Sequence, residues 1–431
     1  MSRTDSGPGA GLPEGGPHPL GRGAQRPAAM SFILIAVLID MISIGLIIPV
    51  LPHIVGTFTD SPSAQAWWFG AVAFSFSIAN FFCSPILGAL SDKYGRRPVL
   101  LLGFSGLALS FIVTGLATAL WMLIVVRLFS GAMQSNMAIA NAYVADITPP
   151  EERAQRFGQL GAMFGIGFIL GPVMGGLLGS IDVHLPFFVA GGMALLNLLY
   201  GYFVLPESLA PGKRREFSWK RANPFASLRG LLRLRGVGLL VVVVALAGLA
   251  QFTLHTSWVL YTHFKFGWGP WEVGWSLFCV GVMSAFAQGV LLKHLLKRFE
   301  PRKLAMFSLS AGALTYFGFG AVPEGWMIYV VIVLGNLLGG GGAVVIQSII
   351  SNAADPRTQG ETMGSVSSLN SLMAVSAPLV STPLLGIISQ RPPGDWLIGL
   401  PFYFCATLAT LALAIAWFQF RRTAPAVAAT A

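Results

Sequence analysis

The feature that most constrains the fold of this chain is a succession of long apolar runs separated by short charged segments. Each run holds about twenty residues, enough for a helix that rises about 1.5 Å per residue to cross a hydrocarbon layer about 30 Å thick. The runs predict twelve membrane helices, numbered 1 to 12, near residues 30–51, 67–90, 99–119, 121–143, 157–178, 186–205, 237–260, 271–292, 304–321, 326–350, 362–388 and 402–420.

Composition agrees with this pattern. Of 431 residues, 55% are hydrophobic and only 10% are charged, whereas soluble domains carry about 25% charged residues. The chain is therefore predicted to be an all-α integral membrane protein, and a soluble enzyme is excluded. The three cysteines fall inside apolar runs and provide neither a disulfide framework nor metal-ligand spacing.

Basic residues gather in alternate loops. With a cytoplasmic amino terminus, every Lys and Arg lies in a cytoplasmic loop or tail except Lys265 and Arg391, in outer loops, and Arg127, within helix 4. Because Lys and Arg in short loops hold those loops in the cytoplasm, both termini are predicted to be cytoplasmic. The net charge of +10 is thus explained by topology, and no nucleic-acid partner is predicted.

The longest basic loop divides the helices six and six. It is interpreted as a linker that anchors topology, with docking to anionic lipid as the alternative. The predicted units are a disordered cytoplasmic tail, an N-terminal six-helix bundle, the basic cytoplasmic linker, a C-terminal six-helix bundle and a second cytoplasmic tail, at residues 1–29, 30–205, 206–236, 237–420 and 421–431.

The two halves echo one another at an offset of about 205 residues, a spacing that points to an internal duplication. Matching positions are Gly70 with Gly274, Trp121 with Trp326, Gly158 with Gly364 and Pro172 with Pro378. Duplication in a membrane protein of this size favours a transporter made of two pseudo-symmetric bundles around a central site. No sequence motif for hydrolytic or phosphate-binding chemistry appears, so neither an enzyme activity nor a cofactor or metal is predicted.

One acidic residue, Asp40, lies deep in a predicted helix. A charge there costs about 2.5–3.5 kcal/mol on insertion scales, so a functional position inside the bundle is the default hypothesis. Burial favours the neutral, protonated carboxyl, which suits a proton carrier or a contact for a cationic substrate. The alternative is a structural acid hydrogen-bonded to neighbouring backbone.

Arg127 is the corresponding buried cation. On helical spacing it shares a face with Gln134 and Asn141, which predicts a polar stripe along helix 4. The stripe is interpreted as tuning a proton carrier or lining the substrate cavity. The alternative is an ion pair with Asp40 that merely joins two helices.

Gln251 and His255 stand one turn apart in helix 7, and His titrates in the physiological range. Both are predicted to line the substrate cavity together with Gln134 and Asn141. A hydrogen-bonded packing histidine is the competing interpretation of His255.

The charged turn at residues 88–98, GALSDKYGRRP, resembles the loop that follows the second helix in the major facilitator superfamily. Three other segments resemble further motifs of that family. Helix 1 does so through Asp40, Gly45, Pro49, Leu51 and Pro52, helix 4 through Arg127 and Gly131, and the loop after it through Asp146 to Arg153.

Helix 5 is similar to the signature of the family's twelve-helix drug:proton antiporter branch, and bacterial tetracycline exporters resemble the chain most. The residues that carry this likeness are Gly158, Gly167, Gly171, Pro172, Gly175 and Gly176. Tetracycline itself is doubtful as the substrate, because helices 3 and 9 lack the acids that those exporters carry.

The resemblance implies proton-coupled efflux of an amphipathic compound or drug across the inner membrane, by a monomer that works in lipid with its substrate and protons as partners. Proton symport of a sugar or carboxylate into the cell is the alternative. The resemblance also implies a cytoplasmic latch that stabilises the outward-open state and opens on protonation, with simple turn formation as the competing interpretation. The implied latch residues are Gly88, Asp92, Gly95, Arg96, Arg97 and Asp146.

Overall fold

A computed structural model describes residues 22–219, 222–224, 238–353, 359–392 and 394–422. Within these ranges the protein is helical, and twelve helices are long and apolar enough to cross a membrane. The predicted all-α membrane fold is therefore confirmed. Most of the predicted amino-terminal tail, much of the basic linker and most of the carboxy-terminal tail lie outside the described residues.

The helices of the N-terminal half form spans 1 to 6. Spans 1 and 4 are each made of two helical segments. In chain order the segments are Arg22–Ile47 and Leu51–Gly56 (helix 1), Pro62–Tyr94 (helix 2), Arg96–Gly115 (helix 3), Leu120–Met133 and Asn136–Ile147 (helix 4), Arg153–Ile181 (helix 5) and Leu185–Val204 (helix 6).

The C-terminal half repeats this plan. Helix 8 passes through a π-helical turn, Ala287–Leu291. The segments are Gly238–Phe266 (helix 7), Pro270–Phe286 and Leu292–Arg298 (helix 8), Pro301–Ala321 (helix 9), Gly325–Gly339 and Gly342–Ala353 (helix 10), Gln359–Ile388 (helix 11) and Leu400–Arg422 (helix 12); short 3-10 turns lie at Pro150–Glu152, Pro211–Lys213 and Trp396–Gly399.

Several predicted boundaries were wrong, and two of these have clear local causes. Helix 2 begins at Pro62 rather than 67, because Ser61 caps it by accepting the N–H of Ala64 at 3.2 Å. Helix 7 continues to Phe266, so Lys265 belongs to a helix rather than a loop; its Nζ donates to the carbonyl of Gly320 at 2.5 Å. Helix 1 begins at Arg22, within the predicted tail.

Helix pairs in one half recur in the other. Helices 1 and 5, 2 and 4, and 3 and 6 pack together, as do helices 7 and 11, 8 and 10, and 9 and 12. The halves meet through helix 5 against helix 8 and helix 2 against helix 11, two contacts that a six-helix shift interchanges. The packing therefore has the pseudo-two-fold symmetry that the internal repeat predicts.

The two ends of the bundle differ. We call the end with the 88–98 turn and the linker the charged end, and the other the opposite end. At the opposite end one apolar cluster includes Ile54 of the first half and Trp258 of the second. Towards the charged end each half has a cluster of its own, around Tyr143 and around Val243. The halves are thus joined at the opposite end and separate towards the charged end.

Candidate functional site

Asp40 lies inside the N-terminal half with only 4% of its surface exposed. The Nδ2 of Asn136, at the start of the second segment of helix 4, donates a hydrogen bond to its Oδ1 at 3.1 Å. Asn136 is itself 2% exposed, and it fits because Gly103 of helix 3 has no side chain to occupy that space. The buried carboxyl therefore has an amide partner and sits where three helices meet.

Arg127 is also buried, but it does not pair with Asp40. Its Nε and Nη2 have no hydrogen-bond partner among the described residues. The ion pair that would have given these two residues a purely structural role is therefore absent from the described contacts. A buried guanidinium with free donors is costly unless an anion or water satisfies it, so Arg127 is a candidate functional group.

The predicted polar stripe on helix 4 is interrupted. The prediction assumed one continuous helix, and that assumption was wrong. The helix breaks after Met133, and the carbonyl of Gln134 at the break accepts Nδ2 of Asn80 from helix 2 at 2.5 Å. Asn141 lies beyond the break and donates to Met137 of its own helix. Gln134 and Asn141 are thus half-buried on separate segments of helix 4.

The predicted helix-5 glycines form a flat ridge against helix 1. A Cβ built on Gly171 would lie 2.7 Å from the Cα of Gly45, and one on Gly175 would lie 2.1 Å from the carbonyl oxygen of Leu46. Gly167 similarly lies against Met41, next to Asp40 in sequence. Close backbone approach at every fourth residue therefore joins helix 5 to the part of helix 1 that carries the buried acid.

Gly176 faces the other way, towards helix 8. A Cβ there would lie 2.6 Å from the carbonyl oxygen of Pro270, and one on Gly274 would lie 2.6 Å from that of Pro172. Since Gly176 and Gly274 belong to different halves, helix 5 contacts both helix 1 and the opposite half through glycine surfaces.

Gln251 and His255 are brought together in the second half, as their spacing predicts. Nε2 of Gln251 lies 2.9 Å from Nε2 of His255, and Oε1 of Gln251 accepts the hydroxyl of Tyr316 at 3.1 Å. Trp258 points elsewhere: it is buried in the apolar cluster and donates to Ser276 at 3.0 Å. Gln251, His255 and Tyr316 thus form one hydrogen-bonded group, and the side chains of Gln251 and His255 are exposed.

The predicted latch residues form an ion cluster at the charged end. Arg96 is buried; its Nη1 lies 2.5 Å from Asp92, its Nε lies 3.0 Å from Asp146, and its Nη1 also donates to Ser91 at 2.7 Å. The cluster joins the 88–98 turn to helix 4 and lines an open cavity of about 440 Å³. All of these partners belong to the N-terminal half.

The remaining latch residues support the turn to different degrees. Gly95 has a φ of 109°, a conformation that favours glycine. Arg97 donates from Nη2 to the carbonyl of Tyr202 at 2.6 Å. A Cβ at Gly88 would meet no described atom within 4 Å, so packing does not explain a glycine there.

Sequence reasoning missed Glu207, in the segment predicted as linker. Its carboxylate accepts the backbone N–H groups of Arg96 at 2.8 Å and Arg97 at 3.2 Å, the first residues of helix 3. Ser208 adds a hydrogen bond to Asp146 at 3.3 Å. The beginning of the linker is therefore docked onto the ion cluster, a contact across more than one hundred residues that no local pattern reveals.

The fold and its buried polar groups define a membrane transporter of two six-helix bundles. The family model for the Major Facilitator Superfamily matches residues 33–378. Tetracycline resistance protein class C of Escherichia coli is 34% identical over 376 residues, 87% of this chain and 94% of that protein. The class D protein of Salmonella ordonez is 35% identical over 382 residues, 88% of this chain and 95% of that protein.

Among solved structures, a bacterial homologue of the human lysosomal transporter Spinster, in an inward-facing and occupied conformation, superposes with a TM-score of 0.71. The match covers 93% of this chain and 98% of that one at 15% identity, and it shows the fold alone. This chain belongs to the Major Facilitator Superfamily.

Proposed function

We propose that this protein exports an amphipathic organic compound from the cytoplasm in exchange for protons, by alternating access. Its similarity to tetracycline resistance proteins over most of both chains supports efflux. The observation that carries proton coupling is the burial of Asp40 beside Asn136, next to the glycine ridge that joins helices 1 and 5.

A carboxyl in this position suits a proton carrier for a physical reason. Burial disfavours its ionised form, while the Asn136 amide stabilises that form through a hydrogen bond, so the two protonation states are brought closer in free energy. Because helix 5 contacts both helix 1 and helix 8, a change in helix 1 on protonation can be transmitted to the interface between the halves.

The energy available is sufficient for concentrative export. One proton that enters through about 100 mV releases about 2.3 kcal/mol, and each pH unit adds about 1.4 kcal/mol. One proton per neutral substrate therefore supports a gradient of about fiftyfold from the potential alone and about five hundredfold with one pH unit added.

The proposed orientation places the charged end and both termini in the cytoplasm, in the inner membrane. The support is the positive-inside rule applied to the basic loops, which connect helices whose described ends lie at the charged end. In this orientation the structure, joined at the opposite end, corresponds to a carrier closed to the outside. The proposed working unit is a monomer in lipid, because each chain holds both halves around its own site.

The ion cluster of Arg96 is proposed as a conformational latch. Its support is the burial of the guanidinium between two carboxylates and the docking of Glu207 onto the same turn. Arg127, Gln134, Asn141, Gln251 and His255 are proposed to line the path of the substrate, because they are polar groups that helix 4 of the first half and helix 7 of the second half carry.

Vesicle transport tests this function. The purified protein is reconstituted with an imposed pH gradient, and movement of ethidium and of tetracycline is measured for wild type, Asp40→Asn and the control Asp182→Asn, an exposed acid between helices 5 and 6. We expect proton-driven movement of at least one probe out of the cytoplasmic side, lost in Asp40→Asn and kept in Asp182→Asn. Movement that Asp40→Asn leaves unchanged would reject Asp40 as the carrier, and movement in the direction of the protons would favour uptake by symport.

A further inference from the structure

Two histidines from different halves meet at the opposite end. His53 lies in the second segment of helix 1, and His263 lies in the last turns of helix 7. Their ring centroids are 5.4 Å apart, with an interplanar angle of 75°. The pair bridges the halves where one apolar cluster already joins them.

Backbone carbonyl groups determine which nitrogen of each ring carries the proton. Nδ1 of His53 lies 3.0 Å from the carbonyl oxygen of Pro49, and Nδ1 of His263 lies 3.0 Å from that of Trp268. A carbonyl oxygen only accepts hydrogen bonds, so each Nδ1 carries a proton and each neutral ring keeps a lone pair on Nε2. Nε2 of His53 is buried and has no partner among the described residues.

Two imidazoles oriented in this way have the chemistry of metal ligands. Histidines that bind metals almost always donate their other ring N–H to a carbonyl or carboxylate, which sets the tautomer and the ring orientation. Imidazole nitrogens suit zinc, copper and nickel, whereas magnesium and calcium prefer oxygen. While both rings are neutral, the two Nε2 atoms are acceptors and cannot hydrogen-bond to each other, so a cation can serve as their shared partner.

The ring separation allows a single ion to bind both. Two nitrogens that ligate one zinc ion lie at most about 4.2 Å apart, because each Zn–N bond is about 2.0–2.1 Å long. Ring centres 5.4 Å apart leave the two rings close enough for one ion to contact both. Water would complete the tetrahedral coordination.

We propose that His53 and His263 bind a divalent transition-metal ion of the zinc type, which bridges the two halves and stabilises the conformation closed at the opposite end. The ion would act as a brake, since the pair must separate before this end can open. Such an ion would hold the two halves together whichever way the protein transports its substrate, and with or without proton coupling.

Thermal unfolding of the full chain in detergent tests the site. We expect Zn²⁺, but not Mg²⁺, to raise the Tm of wild type by a few degrees at saturation, because a ligand that binds only the folded state stabilises it by mass action. His53→Asn and His263→Asn should each abolish that rise. Asn keeps an amide N–H near the position of Nδ1–H but lacks the ligating nitrogen.

Two further variants make the test decisive. His184→Gln, which removes an exposed histidine beside Asp182, should leave the zinc effect intact. The double variant His53→Cys with His263→Cys supplies two thiolates and should restore the rise, even if the Asn variants have a lower Tm without metal. The proposal is overturned if Zn²⁺ does not raise the Tm of wild type, or if the rise survives in His53→Asn or in His263→Asn.

Discussion

Asn136 donates a hydrogen bond to Asp40 at 3.1 Å and thereby connects the break in helix 4 to the only acid deep in helix 1. The amide stabilises the ionised carboxylate, whereas the apolar surroundings favour the protonated form. In the proposed role of Asp40 as proton carrier, the balance between these effects would set the pH at which the proton is loaded and released.

Asn136→Leu should therefore make the carboxyl of Asp40 harder to ionise. A hydrogen bond to a charged group contributes about 1.5–3 kcal/mol, so a larger share of the carboxyl should stay protonated at a given pH. The measurement is an infrared titration of the protonated-carboxyl band that Asp40→Asn removes. Asn197→Leu is the matched control, because Asn197 is equally buried but donates to the carbonyl of Ala36 at 3.0 Å; a shift of similar size there would contradict the assignment.

Gly175→Ala should separate helices 5 and 1. The added methyl would lie 2.1 Å from the carbonyl oxygen of Leu46, which cannot yield without a backbone shift. Overpacking of this kind costs about 1–3 kcal/mol, so the Tm in detergent should fall and transport should decrease. Gly192→Ala in helix 6, where a methyl meets no described atom within 4 Å, should leave the Tm unchanged or slightly raised. Equal Tm values for the two variants would count against the ridge.

Glu207→Ala should weaken the junction between the linker and helix 3. The carboxylate caps the first N–H groups of that helix from a distant part of the chain, and loss of a helix cap costs about 0.5–2 kcal/mol. We expect a lower Tm for Glu207→Ala and an intermediate value for Glu207→Gln, which keeps one acceptor without the charge. Glu216→Ala, at an exposed linker residue, is the control; a Tm as low as that of Glu207→Ala would show that linker charge alone matters.

Arg96→Lys tests the latch. A lysine cannot serve Asp92, Ser91 and Asp146 together, because its ammonium is compact whereas guanidinium presents a planar fork of donors. The cluster is intact in the structure, whose halves are separate at the charged end, so a latch role requires that it gain a contact with the C-terminal half in the state closed there. Loss of that contact in Arg96→Lys should shift the protein towards the state open at the charged end. Lys93→Gln, at an exposed neighbour of the cluster, should not cause this shift.

Spin labels at Gly158→Cys and Gly364→Cys measure that shift, since these repeat-related sites lie in helices 5 and 11 of different halves and have open space for a side chain. Distance distributions from pulsed electron resonance should show a larger population at long separation in Arg96→Lys. An unchanged distribution, with Arg96→Lys folded normally, would argue for a turn-forming role alone.

The twelve helices and their grouping could be predicted because membrane spans are long, apolar and bounded by charge. The ion cluster and the helix-5 glycines followed from residue patterns that the structure places in contact. Asp40 was found because an acid is costly in lipid. In each case the feature is energetically costly to change or to place in a membrane, so it restricts the residue types in the sequence.

Other parts of the site could not be predicted. The break at Gln134 has no proline to announce it, and in a helix that is apolar on all sides periodicity does not show which amide faces the acid. Asn136 could have been found only as one of three amides in that stretch. Glu207 and the pair of His53 with His263 depend on contacts between distant segments.

The glycine surfaces of helix 5 also determine how easily the molecule can move. Interdigitated side chains resist sliding of one helix over another. Helix 5 instead contacts its neighbours through glycine pairs, Gly171 with Gly45 and Gly176 with Gly274, which have no side chains that must separate before the helices move. Helix 5 can thus serve as a pivot, about which the two halves rotate while its backbone contacts with helices 1 and 8 are kept.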